Sequence, residues 1–496
     1  MSDQQSSYRQ IMKATSLFGG VQVFNILIAI IRSKFIAVLL GPAGMGIAGL
    51  LNSTTNFIGA LTSFGIGTSA VKNVAIANGS GNQIRIAIVI KVLRQLVWYT
   101  GSLGAIITLL LSPWLSEITF GNRDYTLAFI WISITLLFNQ LTVGRMVILQ
   151  GMQKLQYLAK ASLSGSLFGL VITVPLYYRY GVDGIIPAII FTSVIAFFFS
   201  WFFSRKVRIE SIKLSKIRTF AEGKNMLIMG FMVSLSGLIT LGTSYIVRIY
   251  ISNTGGVEEV GLYTAGFTII NTYVGLVLTA MATDYYPRLS AVAYDNKKCT
   301  EAINHQAEIV LLILAPIIVV FLVFIKWVII ILYSTKFVTV DAMIHWAALG
   351  MLFRAASWAV SFVFISKGDA KLFFWNELIA NIYALALNIL GYHFFGLTGL
   401  GISFLITYLL YLIQVFLIAK KQYSFSFSNT FLKVFSFQLL LAISCFLTMR
   451  FIIFPYSYFL GGIMIIISVF YSYKALDKFI GLKELIKNVI NRYLKK

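Results

Sequence analysis

The sequence predicts an all-α integral membrane protein of about fourteen transmembrane helices, and three observations predict it. The 496 residues are 58% apolar and only 11% charged, with a mean hydropathy of +0.86, whereas a soluble domain carries about 25% charged residues. Apolar runs of the ~20 residues needed to cross a bilayer recur along the whole chain. The 40 Lys and Arg against 17 Asp and Glu gather on alternate loops, as the positive-inside rule requires. The net charge of +23 is therefore assigned to membrane topology, and nucleic acid is not expected as a partner.

The runs lie near 14–40, 43–70, 93–112, 125–148, 157–178, 182–204, 226–252, 258–283, 307–331, 341–365, 370–393, 397–419, 431–453 and 456–475. The polar opening MSDQQSSYRQ lacks a cleavable signal pattern, so the first run is expected to stay as a spanning helix. Loops after odd-numbered runs hold few cations. Loops after even-numbered runs hold many, above all Arg205, Lys206, Arg208, Lys213, Lys216, Arg218 and Lys224. This asymmetry puts both termini in the cytoplasm. The last stretch, 476–496, sets Phe479, Leu482, Ile486, Val489 and Tyr493 on one helical face with lysines opposite. Such a helix can lie on an anionic leaflet, or the tail is simply solvated. Cys299 and Cys445 form no CxxC or metal spacing. Pro175, Pro187 and Pro316 fall inside apolar runs, where they kink a helix for motion or for static packing.

The chain also echoes itself. The stretch IIRSKFIAVLLGPAGMGIAGLL, residues 30–51, carries Arg32 and Lys34, breaks at Gly41-Pro42 and resumes with Gly44, Gly46 and Gly49. A later stretch, YIVRIYISNTGGVEEVGLYTAGF, carries Arg248, Gly255, Gly256, Gly261 and Gly266. ILQGMQKLQYL followed by YGVDGII is likewise matched by FISKGDAKLFF followed by FGLTGLG, pairing Gly151 with Gly368 and Gly181 with Gly396. Each half thus has six helices, and an even number gives both halves one orientation, a parallel repeat with the substrate path expected between them. The organisation read from this is a six-helix bundle in 1–204, a basic linker in 205–225, a second bundle in 226–420, two more helices in 421–475 and the tail.

Several segments resemble a known family. RSKFIAVLLGPAGMGIAGL with GIGTSAVKNVA, then FGNRDY, DYYPRLSAV and LYSTKF, in this order among fourteen helices, resemble the Wzx-type O-antigen and polysaccharide translocases of the multidrug/oligosaccharidyl-lipid/polysaccharide exporter superfamily. The resemblance implies two six-helix bundles around a cavity that opens alternately to each side of the bacterial inner membrane. It implies an undecaprenyl-pyrophosphate-linked oligosaccharide as cargo, membrane lipids as surroundings and a polysaccharide polymerase as a functional partner. It implies no resident cofactor, with H+ or Na+ as the coupling ion.

Intramembrane charges are the candidate site, because a cation within a membrane helix costs at least ~2.5 kcal/mol unless it meets water, a partner or a ligand. Arg32 and Lys34 in the outer half of the first helix, Arg248 near the outer end of the seventh and Arg354 in the middle of the tenth are candidates for holding the pyrophosphate, since the guanidinium fork donates bidentately to phosphate. Snorkelling to headgroups is the other reading for the first three. Arg145, near the cytoplasmic end of the fourth helix, is either a fifth such cation or a positive-inside residue. Glu377 is expected at the depth of Arg354, as its ion-pair partner or as an ion-coupling carboxylate, and Asp284 is a second coupling candidate or a helix-end hydrogen-bond acceptor.

An enzyme, such as a membrane polysaccharide polymerase, would need a large hydrophilic loop or a clustered acid/base set. The sequence has three histidines, short outer loops and no P-loop, so no catalytic or metal site is expected. A multidrug exporter of the same superfamily would carry acidic residues for cationic drugs. A murein precursor flippase would differ only in the head-group it carries.

Overall fold

The computed structural model describes residues 3–210, 212 and 214–480, and all secondary structure among them is helical. The chain runs through α1 (Asp3–Leu39), α2 (Gly41–Ser63), α3 (Ile66–Gly79), α4 (Gln83–Leu110), α5 (Ser112–Phe120), α6 (Thr126–Gly151), α7 (Leu155–Tyr180) and α8 (Ile185–Ser204). It continues through α9 (Lys216–Thr268), α10 (Leu276–Ala291), α11 (Asn296–Leu332), α12 (Asp341–Ser366), α13 (Ala370–Tyr423), α14 (Asn429–Phe451) and α15 (Tyr456–Ile480). Among the described residues, ten stretches are long and apolar enough to cross a membrane. Three of them, Leu155–Ser204, Glu222–Ala291 and Ala370–Tyr423, are interrupted near Gly181, Gly256 and Gly396, and each is too long for one crossing. Gly41–Ser63 adds a further helix of 23 residues. The expected all-α membrane architecture is the one observed. The amphipathic face expected in the tail falls mostly outside the described residues.

Several boundaries differ from expectation, and two of them have a local physical cause. The second run breaks at Phe64 and Gly65, both at positive φ, giving α2 and α3 where one helix was expected. Gly65 there meets Gly230 of α9 so closely that a Cβ would sit 2.1 Å from the Gly230 carbonyl oxygen. The third helix starts at Gln83, ten residues before the expected position. Asn82 caps it by accepting the Arg85 N–H at 3.1 Å, so Arg85 and Lys91 lie within the helix and not in a loop.

The repeat is present, with a constant offset of 215 residues. Gly41 and Gly256 both have positive φ, +68° and +86°. Gly181 (φ 56°, ψ −131°) and Gly396 (φ 56°, ψ −141°) turn the chain alike. Helix α6 and helix α12 each span 26 residues in the same register. Their C-terminal turns repeat bond for bond: Met152, Gln153 and Lys154 N–H donate to Ile148, Gln150 and Leu149, as Lys367, Gly368 and Asp369 donate to Val363, Ile365 and Phe364. The partner of Gly368 is therefore Gln153, at φ +54°, and not Gly151 as the sequence suggested. The offset pairs Arg32 with Val247 and Arg248 with Ser33. One residue is about 100° of helix, so the two arginines are not repeat mates.

The chain divides into two compact units, one of residues 1–261 with Leu332–Ser334, the other of Leu262–Ile331 with residues 335–496. Within the first, Gly46 and Gly261 pack reciprocally. A Cβ on Gly46 would lie 1.8 Å from the Val257 oxygen, and one on Gly261 would lie 1.9 Å from the Pro42 oxygen. Pro42 and Val257 are themselves repeat mates, so the contact is self-complementary. Small residues at the contact are what let membrane helices approach this closely. Helices α4 and α6 pack through Gly101, Gly104 and Gly144, pinned by Gln140 Nε2 donating to Thr100 at 3.0 Å. In the second unit, Gly350 of α12 receives Phe404 and Leu405 of α13. The two arms of α13 fold back on each other, Gly391 against Gly399. Buried Tyr285 donates to the Ala359 carbonyl at 2.7 Å. Many large apolar side chains face outward, among them Phe24, Leu110, Trp131, Ile331 and Ile466, as a lipid-facing surface requires.

Candidate functional site

In the first unit, Arg32 is half-buried on α1 and lays its guanidinium against α7. A Cβ on Gly169 would come within 3.2 Å of Arg32 Nη2, so the absence of a side chain at Gly169 makes room for the cation. Tyr177, buried on the same helix, is close enough to interact with it electrostatically. Asn25 Nδ2 donates to Ser162 Oγ at 3.0 Å and ties the two helices together one turn and more below. Arg32 makes no ion pair or hydrogen bond with a described residue, and its Nε is buried without an acceptor. Lys34 is half-buried on the same helix. Arg248 turns back on α9, where Nη1 donates to the Ser244 carbonyl at 3.1 Å and to the Ser244 hydroxyl. Close by in sequence, Tyr245 joins Thr119 at 2.8 Å and Thr54 at 3.2 Å.

Arg145 has a neighbour that sequence reasoning missed. Arg94 of α4 is near enough for the two like charges to repel, and Arg94 Nε is also buried without an acceptor. Arg94 is the second residue of the expected run 93–112 and comes just after Arg85 and Lys91, so it reads as the basic edge of that helix. The signal was available: Ile90, Arg94 and Val97 share one face of the IRIAIVIKVLRQLVWY stretch.

In the second unit, Arg354 sits 13 residues into α12, roughly 20 Å from its start. Its Nη1 donates to Asn271 Oδ1 at 2.5 Å, and its guanidinium lies 5.3 Å from the centroid of the Tyr408 ring. Both partners are neutral, so the positive charge is oriented and not cancelled. The ion pair with Glu377 is not formed. Glu377 accepts from Tyr411 at 2.5 Å and from Asn376 at 3.3 Å. Gln414 fixes Asn376 in turn, donating to its carbonyl and to its Oδ1 at 3.0 and 2.8 Å. The physical reason lies in the two arms of α13: their antiparallel packing brings Tyr411 and Gln414 to the Glu377 turn and satisfies the carboxylate there. Asp284 pairs with Arg288 at 2.7 Å, one turn on, with both side chains mostly exposed, and Arg288 also donates to Gln306 at 3.0 Å. Asp284 lies in the middle of α10, not at its end. Lys326 faces Asp341 at 3.8 Å.

The arrangement concentrates cations in the first unit and a hydrogen-bonded carboxylate in the second, with Arg354 oriented by an amide and a ring. Arginines oriented this way can receive an anion without first breaking a salt bridge.

A family model described as "Polysaccharide biosynthesis protein" matches residues 35–342. A Shigella flexneri protein provisionally named an O-antigen transporter is 25% identical over 307 residues, 60% of this chain and 71% of that one. The lipid III flippase of Escherichia coli K12 is 21% identical over 393 residues, 76% of this chain and 90% of that one. Among solved structures, lipid II flippase MurJ in an inward closed conformation superposes with a TM-score of 0.71 at 14% identity, covering 94% of this chain and 99% of that one. An inward-facing multidrug resistance MATE family transporter superposes with a TM-score of 0.68 at 16% identity, over 81% of this chain and 94% of that one. These likenesses share the fold.

Proposed function

We infer the function from one premise, that the chain belongs to the polysaccharide biosynthesis protein family. It is a multi-pass membrane transporter of the multidrug/oligosaccharidyl-lipid/polysaccharide exporter superfamily, and not an enzyme. We propose that it is a flippase for an undecaprenyl-pyrophosphate-linked oligosaccharide, an O-antigen or related repeat unit. It carries this cargo from the inner to the outer leaflet of the bacterial cytoplasmic membrane by alternating access. The observation that carries this reading is the state of Arg32 and Arg354. Neither is salt-bridged to a described carboxylate, and Arg354 is turned by Asn271 and Tyr408 into a fixed, uncancelled cation. A pyrophosphate offsets the cost of such charges; a cationic drug would add to it. The names of the lipid III flippase and O-antigen transporter relatives support the same cargo class. Lys34, Arg145 and Arg248 are proposed as supporting cations, and Glu377 as the carboxylate that couples H+ or Na+ to resetting the empty carrier. Asp284, already engaged by Arg288, is the weaker coupling candidate.

The test is surface polysaccharide in cells expressing variants at matched protein level. Arg32→Ala with Arg354→Ala is expected to abolish export while leaving membrane insertion intact. Lysine at either site keeps the charge and loses the fork, so partial export is expected. Normal polysaccharide from the double alanine variant would make these arginines structural and end their assignment to the cargo.

A further inference from the structure

Arg94 and Arg145 form a second cationic pair, set by the crossing of α4 and α6. The helices run antiparallel, and Val97 fills the gap left by Gly144: a Cβ there would lie 2.9 Å from Val97 Cγ2. From that level Arg94 is three residues along α4 and Arg145 one residue along α6, both toward the N-terminal end of α4. At 1.5 Å per residue their Cα atoms are offset by about 3 Å along the axis. Two guanidiniums thus share one layer beside the buried apolar residues Leu93, Val97, Val147 and Ile148. Neither has a hydrogen bond or ion pair to a described residue, and both are half-buried, so each still reaches open space. The nearest acid along α9, Glu222, is occupied by Arg85 at 2.9 Å, and Gln95 is occupied by Thr219 at 2.6 Å. Two like charges in one half-buried layer, with the described acceptors Glu222 and Gln95 already engaged, cost free energy unless water or an anion lies between them.

We propose that Arg94 and Arg145 together bind a phosphate group of a membrane lipid, as an entry site distinct from Arg32 and Arg354. By charge asymmetry the site faces the cytoplasmic leaflet. Two guanidinium forks match the oxygens of one phosphate bidentately. The phosphate has two sources, the pyrophosphate of the lipid-linked cargo or the head-group of an anionic phospholipid. Only the first rests on the flippase reading.

The experiment is equilibrium binding to the full chain in neutral-lipid nanodiscs, with undecaprenyl pyrophosphate, phosphatidylglycerol and uncharged undecaprenol as probes. Arg94→Gln and Arg145→Gln are each expected to weaken one of the two phosphate lipids at least tenfold and to leave undecaprenol unchanged. Arg94→Lys and Arg145→Lys should fall between, which guards against a misfolded glutamine variant. Arg85→Gln, on the same helix but already paired, should bind as the natural chain does. Weakening confined to undecaprenyl pyrophosphate identifies the cargo as the source, and weakening confined to phosphatidylglycerol identifies the bilayer. Both lipids held unchanged by all four variants, or neither held by the natural chain, overturns the site. Because the readout is binding, that failure leaves the export result for Arg32 and Arg354 standing.

Discussion

At the scale of single residues, Arg354 is held by the neutral side chains of Asn271 and Tyr408, and Glu377 accepts from Tyr411 and Asn376. Arg32, Arg354 and Glu377 were legible as ionisable residues inside apolar runs, where each needs a reason to exist. Their partners were not, because Asn271, Tyr408 and Tyr411 are 83, 54 and 34 residues away in the chain and only helix packing brings them in. Arg94 was hidden for the opposite reason, by cations nearby in sequence. The Glu377 network carries a prediction. Glu377→Gln keeps the size and the hydrogen-bonding capacity facing Tyr411 and Asn376, yet removes the charge that a coupling ion must neutralise. Transport by purified protein in vesicles is expected to slow about tenfold and to lose its dependence on an imposed H+ or Na+ gradient, one order of magnitude being ~1.4 kcal/mol of barrier. A glutamine variant that still answers to the gradient would exclude Glu377 from coupling.

At the scale of elements, the existence of the helices was readable because a bilayer demands a minimum apolar length. Helix ends were less so. The early start of α4 depends on the Asn82 cap, and the break between α2 and α3 depends on the close approach of Gly230, a tertiary fact. The repeat was visible through its glycines, but its register was two residues off at Gly151. There the glycine that marks the turn in the second half is replaced by Gln153 in the first. A side chain in the left-handed conformation costs ~1–2 kcal/mol. Gln153→Gly is therefore expected to stabilise the protein by about 1 kcal/mol, less the entropy a glycine adds to the unfolded chain. Gly368→Ala is expected to destabilise it by ~1–2 kcal/mol. Unfolding in detergent micelles measures both, and equal effects of the same sign would show that the two turns are not equivalent.

At the scale of the whole molecule, the alternation of basic and neutral loops predicts which side each loop occupies. Reporter fusions after residues 215 and 255 are expected on opposite faces, the first in the cytoplasm. Both reporters on one face would invalidate the topology and, with it, the direction assigned to transport.

That direction has an energetic consequence. The head-group proposed as cargo is an anion, and the cytoplasm is electrically negative. Moving one negative charge outward across the full field is favoured by ~2.3 kcal/mol per 100 mV. The arginines stay with the protein, so their charge does not travel the same distance as the pyrophosphate. In vesicles carrying a fluorescent undecaprenyl-pyrophosphate-linked sugar, an inside-negative potassium diffusion potential is therefore expected to speed outward movement, and an inside-positive one to slow it. A neutral undecaprenyl-linked sugar should respond to neither. Equal rates for the anionic lipid at both polarities would mean that the transported complex carries no net charge. Arg32 and Arg354 would then have to move with the cargo instead of receiving and releasing it, and the proposed alternating access past fixed cations would fail as the mechanism.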